Sequence, residues 1–193
     1  MAKPRRLVLA SGSRYRKALL ERLGLRFSVF SPEVDETPVG GESPADTAVR
    51  LAVLKAKAAS QRGELIIGSD QVASCEDRRY GKPGNHENAA RQLRELSGKA
   101  VDFNTAVTVL DSQKNTHESR VVLCRVTFRT LDERTIQAYL KKEKPYDCAG
   151  AAKAEGLGIA LIARIETEDP TSLIGLPLIA LSQMLERAGF PIL

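Results

Sequence analysis

The sequence predicts an α/β (mixed α+β) fold: a twisted mixed sheet flanked by helices. Two observations carry this. Short apolar runs alternate along the chain with capped, amphipathic stretches, which is how strands and helices interleave in such folds. The strand-like pair within residues 101–129 reads as a hairpin, so the sheet is mixed rather than wholly parallel. With 193 residues, 42% of them hydrophobic, the chain suits one domain, 1–193, or one domain with two lobes.

Leu7 to Ala10 reads as a short buried strand, and Ser11-Gly12-Ser13 as a polar turn. A helix follows from about Arg14 to Leu23, with Ser13 as N-cap, a stripe of Leu19, Leu20 and Leu23, and Gly24 as the stop. Phe27 and Val29 alternate as a strand would. Ser31 to Gly41 is an acidic loop, and Ser43-Pro44 opens a second helix with proline at its first position. Leu65-Ile66-Ile67 and Val72 bracket Asp70 in an apolar strand. Helices are expected at about Asn85–Leu96, Asp132–Lys142 and Leu178–Ala188. Further strands are expected at Val101–Leu110, Arg120–Arg129 and Gly158–Ile165.

Composition excludes several classes. No window approaches the roughly 18 apolar residues of a membrane helix, so no membrane role is expected. The basic start, Met1 to Arg6, is followed by too short an apolar run to serve as an export signal, which makes the cytoplasm the default. Cys75, Cys124 and Cys148 are odd in number and widely spaced, against a disulfide framework or zinc site. The net charge of +5 is concentrated: residues 1–30 carry +7 and the remainder −2. A basic face of this kind suits a phosphate-bearing partner, although a solvated surface helix would also carry it.

The turn at Ser11 to Lys17 has the makings of an anion site. The first N–H groups of a helix lack internal partners, and the helix dipole places partial positive charge there. Ser11 and Ser13 add hydroxyls, Gly12 permits close approach, and Arg16 and Lys17 add charge. No Walker motif is present, and an ordinary capped helix is the plain alternative. Asp70 is a sharper signal, because a mid-strand carboxylate needs a cation, a metal or a catalytic purpose unless it faces solvent at a sheet edge. Glu33, Asp35 and Glu36 supply oxygen ligands of the kind magnesium or manganese takes alongside phosphate. Lys55 and Lys82 are further candidates for phosphate contact. His86 and His117 stand alone in polar segments and receive no role.

These residues resemble the Maf-like nucleotide pyrophosphatases across essentially the whole chain. The landmarks are LVLASGSRYRK at 7–17, EVDET at 33–37, LAVLKAKA at 51–58 and IIGSDQV at 66–72. GKP at 81–83, LRELSGK at 93–99, CAGAAKAEGLGI at 148–159 and DPTSLIGLPLIAL at 169–181 complete the series. The resemblance implies two lobes around a central cleft and a divalent cation, Mg or Mn, as cofactor. It also implies hydrolysis of a nucleoside triphosphate between its α and β phosphates. Asp70 matches the proton acceptor, which would act on water directly or through a metal. Ser11, Ser13, Arg16, Lys55 and Lys82 match phosphate-binding positions, and Glu36 the acidic position that shares the metal with Asp70.

Three positions separate the branches of this family. Tyr15, Gln71 and Glu155 match the 7-methyl-GTP branch rather than the dTTP/UTP branch. Chemistry agrees: an aromatic face can stack on the cationic 7-methylguanine, and a carboxylate can accept from its N1–H and amino group. The chain departs from the family pattern at Arg14, commonly proline, at Lys17, commonly arginine, and at Tyr15, commonly tryptophan in this branch. Val53-Leu54 also stand where a glutamate usually precedes the lysine. The resulting expectation is a pyrophosphatase yielding 7-methyl-GMP and pyrophosphate, and so keeping a modified nucleotide out of nucleic acids. The rivals are the same chemistry on dTTP, UTP or other modified nucleotides, and a regulator of cell-division arrest. No stable nucleic-acid complex is expected, and a homodimer is compatible with the sequence.

Overall fold

The computed structural model describes residues 5–62 and 64–193. Residues 1–4, including Lys3 of the basic N-terminus, lie outside the described residues. Among the described residues, seven strands join in one mixed sheet: β2 (Phe27–Phe30), β1 (Leu7–Ala10), β3 (Leu65–Cys75), β5 (Ala100–Asp111), β6 (Thr116–Phe128) and β7 (Ile162–Thr167) neighbour one another in that order, and β4 (Arg78–Tyr80) pairs with β3. The chain divides into two compact units. The first comprises Met1–Gln71, Thr105–Val122 and Asp169–Leu193; the second comprises Val72–Asn104 and Leu123–Glu168.

In the first unit, β1 (Leu7–Ala10) pairs in parallel with both β2 (Phe27–Phe30) and the first residues of β3 (Leu65–Cys75). Parallel neighbours require crossover helices, and α1 (Arg14–Glu21) and α2 (Pro44–Ala58) are those crossovers. Side chains alternate across the strands. Leu7, Leu9, Leu65 and Ile67 therefore pack with Leu19 and Leu20 of α1 and with Leu181, Met184 and Leu185 of α5 (Leu178–Arg187). Val8, Ala10 and Ile66 face Ala56 and Ala59 at the end of α2. The middle of α2 touches β3 backbone to backbone at Gly68. A Cβ there would fall well inside the van der Waals radius of the Ala52 carbonyl oxygen, and 3.0 Å from the Ala56 methyl.

The second unit holds β4 (Arg78–Tyr80), antiparallel to residues 73–75 of β3, together with α3 (His86–Leu96) and α4 (Glu133–Glu143). β5 (Ala100–Asp111) and β6 (Thr116–Phe128) are sheet neighbours joined by the tight turn 112–115, as the hairpin reading expected. The edge strand β7 (Ile162–Thr167) runs antiparallel to β6. Leu93 and Leu96 of α3, Ile136 and Leu140 of α4, and Phe103 are among its buried side chains.

The caps explain the helix starts. Ser13, Ser43, Asn85 and Asp132 each accept a hydrogen bond from the backbone N–H three residues on. The strand expected at Gly158–Ile165 is displaced. Residues Leu157–Leu161 form a 3₁₀ turn instead, because the N–H groups of Gly156 and Gly158 both bond to the Lys153 carbonyl and wind the chain before β7 begins.

Candidate active site

The C-terminal end of β1 delivers the chain into Ser11-Gly12-Ser13 and the N-terminus of α1, as the sequence indicated. Ser13 caps the helix by accepting from Arg16 N (3.4 Å), and Ser11 Oγ accepts from Ser13 N (3.2 Å). Ligands in open α/β sheets gather at this end of the strands. Arg16 folds back over the turn, where its Nη1 donates to Ser11 Oγ (3.3 Å) and its Nε to the Gly175 carbonyl (2.8 Å). Burial pulls the Arg16 guanidinium below its ordinary value, and the carboxylates of Asp70 and Glu36 oppose that pull. Lys17 points elsewhere: it is exposed and pairs loosely with Glu21 at 3.7 Å on its own helix.

Asp70 lies inside β3 and is 8% exposed, which removes the solvent-facing alternative. Its cation is Lys55, delivered by α2 and also 8% exposed. Lys55 Nζ sits 2.6 Å from Asp70 Oδ1 and 2.6 Å from Glu36 Oε1, so one ammonium bridges the two carboxylates. The close approach at Gly68 sets this spacing, because any side chain there would lift α2, and Lys55 with it, away from the strand. Arg16, Lys55, Glu36 and Asp70 thus form one charged cluster within the first unit. Glu33 and Asp35 remain exposed in the preceding loop, where Asp35 turns back on its own backbone at Thr37 N. Among the described residues, no group of three or more His, Cys, Asp or Glu is arranged to hold a metal.

Several supporting contacts escaped sequence reasoning, including those of Gln71, which the sequence marked only as a base-discriminating position. Gln71 Nε2 lies within hydrogen-bonding distance of Thr105 Oγ1 and of the carbonyls of Ser172 and Leu173, tying β3 to the 3₁₀ turn Pro170–Ile174. Asp169 is buried at the head of that turn. One of its oxygens accepts from Thr171 N and Oγ1, and the other from Ile179 N and Ala180 N. The turn ends at Gly175, whose φ of 121° favours glycine and whose carbonyl accepts from both Arg16 and Ser69. The motif at 169–181 was visible as a string, but its task of presenting the Gly175 carbonyl was not.

Tyr15 is half-buried rather than packed in the core. Arg14 lies over its ring at 4.8 Å and donates to its hydroxyl at 2.7 Å. Lys82 and Glu155 are both exposed and belong to the second unit, Lys82 between β4 and α3 and Glu155 in the loop after Ala151.

A helix start rich in N–H and hydroxyl donors, beside a buried carboxylate held by a lysine, has the chemistry that hydrolysis of phosphate anhydrides can use. The chain belongs to the Maf-like protein family, whose model matches residues 6–188. Its curated relatives include a protein of Burkholderia orbicola (strain AU 1054), 51% identical over 197 residues that cover 100% of this chain and 94% of the relative. A protein of Cupriavidus pinatubonensis is 52% identical and one of Bordetella pertussis (strain Tohama I) 55% identical. Both matches cover 96% of this chain and 94% of the relative. All three relatives are named 7-methyl-GTP pyrophosphatase.

Proposed function

We propose that this chain hydrolyses 7-methyl-GTP to 7-methyl-GMP and pyrophosphate, with residues 1–193 working as one catalytic domain. The observation that carries the reading is the lysine bridge: a buried Asp70 held at 2.6 Å by Lys55, beside the desolvated Arg16. The names of relatives at 51–55% identity supply the substrate.

Asp70 takes a proton from water as the water oxygen bonds to the α-phosphorus. The bridging oxygen between the α and β phosphates leaves with pyrophosphate. Negative charge spreading over the phosphoryl oxygens meets Arg16, Lys55, Lys82, the hydroxyls of Ser11 and Ser13, and the first N–H groups of α1, with Lys17 adding charge at longer range. Glu36 and Asp70 share one ammonium, and a pair of carboxylates completed by substrate oxygens suits a hard divalent cation such as Mg or Mn. When bound there, the metal would neutralise phosphate charge and lower the pKa of water.

For the base, Glu155 accepts from guanine N1–H and the amino group, and Tyr15 offers its ring to the 7-methylguanine cation. That ring already accepts the Arg14 cation. Gln71 contributes through the turn it ties down, since its amide nitrogen is directed at that turn and Thr105. The proposed place of work is the cytoplasm, where free nucleotides are met; among the described residues no helix is long and apolar enough to cross a membrane.

The test is pyrophosphate release from a nucleotide panel with Mg or Mn present. Turnover should be fastest on 7-methyl-GTP. Preference for UTP or dTTP would overturn the base assignment, and no turnover on any triphosphate would overturn the enzyme reading altogether.

A further inference from the structure

The loop that carries Glu155 is fastened to α4 by side chains with no part in the reaction. Glu143 ends that helix. Its Oε1 accepts from Lys153 Nζ at 2.6 Å and its Oε2 from Leu157 N at 2.7 Å, so a single carboxylate grips the loop on both sides of Glu155. One turn earlier, the buried Tyr139 hydroxyl accepts from Lys153 N at 3.0 Å. Within the loop, Gly156 N and Gly158 N both donate to the Lys153 carbonyl at 3.0 Å. Gly156 passes so close that a Cβ would lie 2.7 Å from Glu143 Oε2, and a Cβ on Gly158 would collide with the Lys153 backbone. The hydrogen bond from Lys153 holds the Glu143 carboxyl below the usual carboxylate range, so it stays a charged acceptor at neutral pH. Glu155 is left exposed at the tip of a short segment fixed at both ends.

A carboxylate that discriminates bases must be held in place, since a mobile acid would hydrogen-bond to whatever donor is presented. We infer that Glu143 is a positioning residue for base selection, acting through Lys153 and Leu157 to fix Glu155. This rests on the proposed reading of Glu155 as the guanine acceptor. It concerns the choice among nucleotides, not the cleavage step.

The experiment compares kcat/KM for 7-methyl-GTP and UTP in the wild type, Glu143→Ala, Glu155→Gln and the double variant. Losing hydrogen bonds to a charged acceptor should lower the 7-methyl-GTP preference about tenfold in Glu143→Ala, through KM rather than kcat. Because both residues act on one contact, the double variant should be no less selective than Glu155→Gln alone. Lys153→Met removes one of the two grips while keeping the carboxylate, and should give a smaller loss in the same direction even if Glu143→Ala folds poorly. An unchanged preference in Glu143→Ala and Lys153→Met, with Glu155→Gln losing its preference as expected, would overturn the positioning role alone. An unchanged preference in Glu155→Gln would overturn the reading beneath it.

Discussion

Asp70 and Glu155 are both carboxylates to which the proposed function gives work, and the two units hold them in opposite ways. Asp70 is buried in a strand and touches its cation directly, with α2 set against β3 at the Gly68 backbone. Glu155 is exposed, and the grip falls on its neighbours, Lys153 and Leu157. A group that moves protons benefits from a desolvated, pre-ordered partner. A group that reads a ligand must stay uncommitted until the ligand arrives, so its rigidity has to be borrowed from the residues beside it.

The strongest way to break this contrast is Asp70→Asn. Loss of a general base should lower kcat by about 10²–10⁴ while nucleotide still binds, measured by single-turnover pyrophosphate release and by calorimetric titration. Near-normal rates would remove Asp70 from the proton-transfer step. Lys55→Met leaves two carboxylates without their shared ammonium and should cost about 3–5 kcal/mol of stability, read from denaturant unfolding. Gly68→Ala should cost about 1–3 kcal/mol by forcing α2 off the strand, and should slow turnover because Lys55 moves with the helix. In the second unit the effect should be on choice rather than rate: Glu155→Gln is expected to change nucleotide preference about tenfold with kcat nearly preserved, as is Tyr15→Ala at the base-reading ring of the first unit.

The smallest effect treats the two units alike. Hydrogen bonds from Arg50 to Glu42 in the first, and from Arg94 to Glu133 in the second, each hold a carboxyl down at about 2 against an ordinary 4.5. A carboxyl depressed in the folded state stabilises the fold above its unfolded value, and that contribution is lost as pH falls from 4.5 towards 2. Arg50→Met and Arg94→Met should therefore be slightly less stable than wild type at pH 7, with the gap closing near pH 2 in thermal melts. The Arg94–Glu133 pair is solvent-exposed and its difference will be small, whereas the half-buried Arg50–Glu42 pair should show the larger of the two.

What the sequence made legible was local. Ser13 and Ser43 announce helix starts because a cap bonds only three residues ahead, and both act as caps; Asn85 and Asp132, read only as the approximate starts of their helices, prove to be caps as well. The apolar runs at 7–10 and 65–67 were readable for the same reason, since burial on both faces leaves no alternation to mislead. The run from Gly158 to Ile165 misled because apolar content alone cannot reveal that two glycine N–H groups converge on the Lys153 carbonyl. β4 was missed because three residues, two of them arginine, carry no strand signal. At the site, Asp70 stood out by its surroundings, but its bond to Lys55 spans 15 positions and the four bonds to Asp169 depend on a turn formed elsewhere. Such pairings are made by tertiary folding, and no local pattern encodes them.

Gly68 has a bearing on how this protein can change. Where side chains set a distance, a drift in one can be absorbed by repacking others, and the separation wanders over generations. Here the separation between the lysine-bearing helix and the aspartate-bearing strand is fixed by main-chain atoms in contact across a missing methyl group. It offers no intermediate steps to selection or to an engineer. Attempts to retune the chemistry by repacking around α2 will therefore meet a fixed stop, whereas the anchors of the Glu155 loop, made of side chains, can be exchanged one at a time.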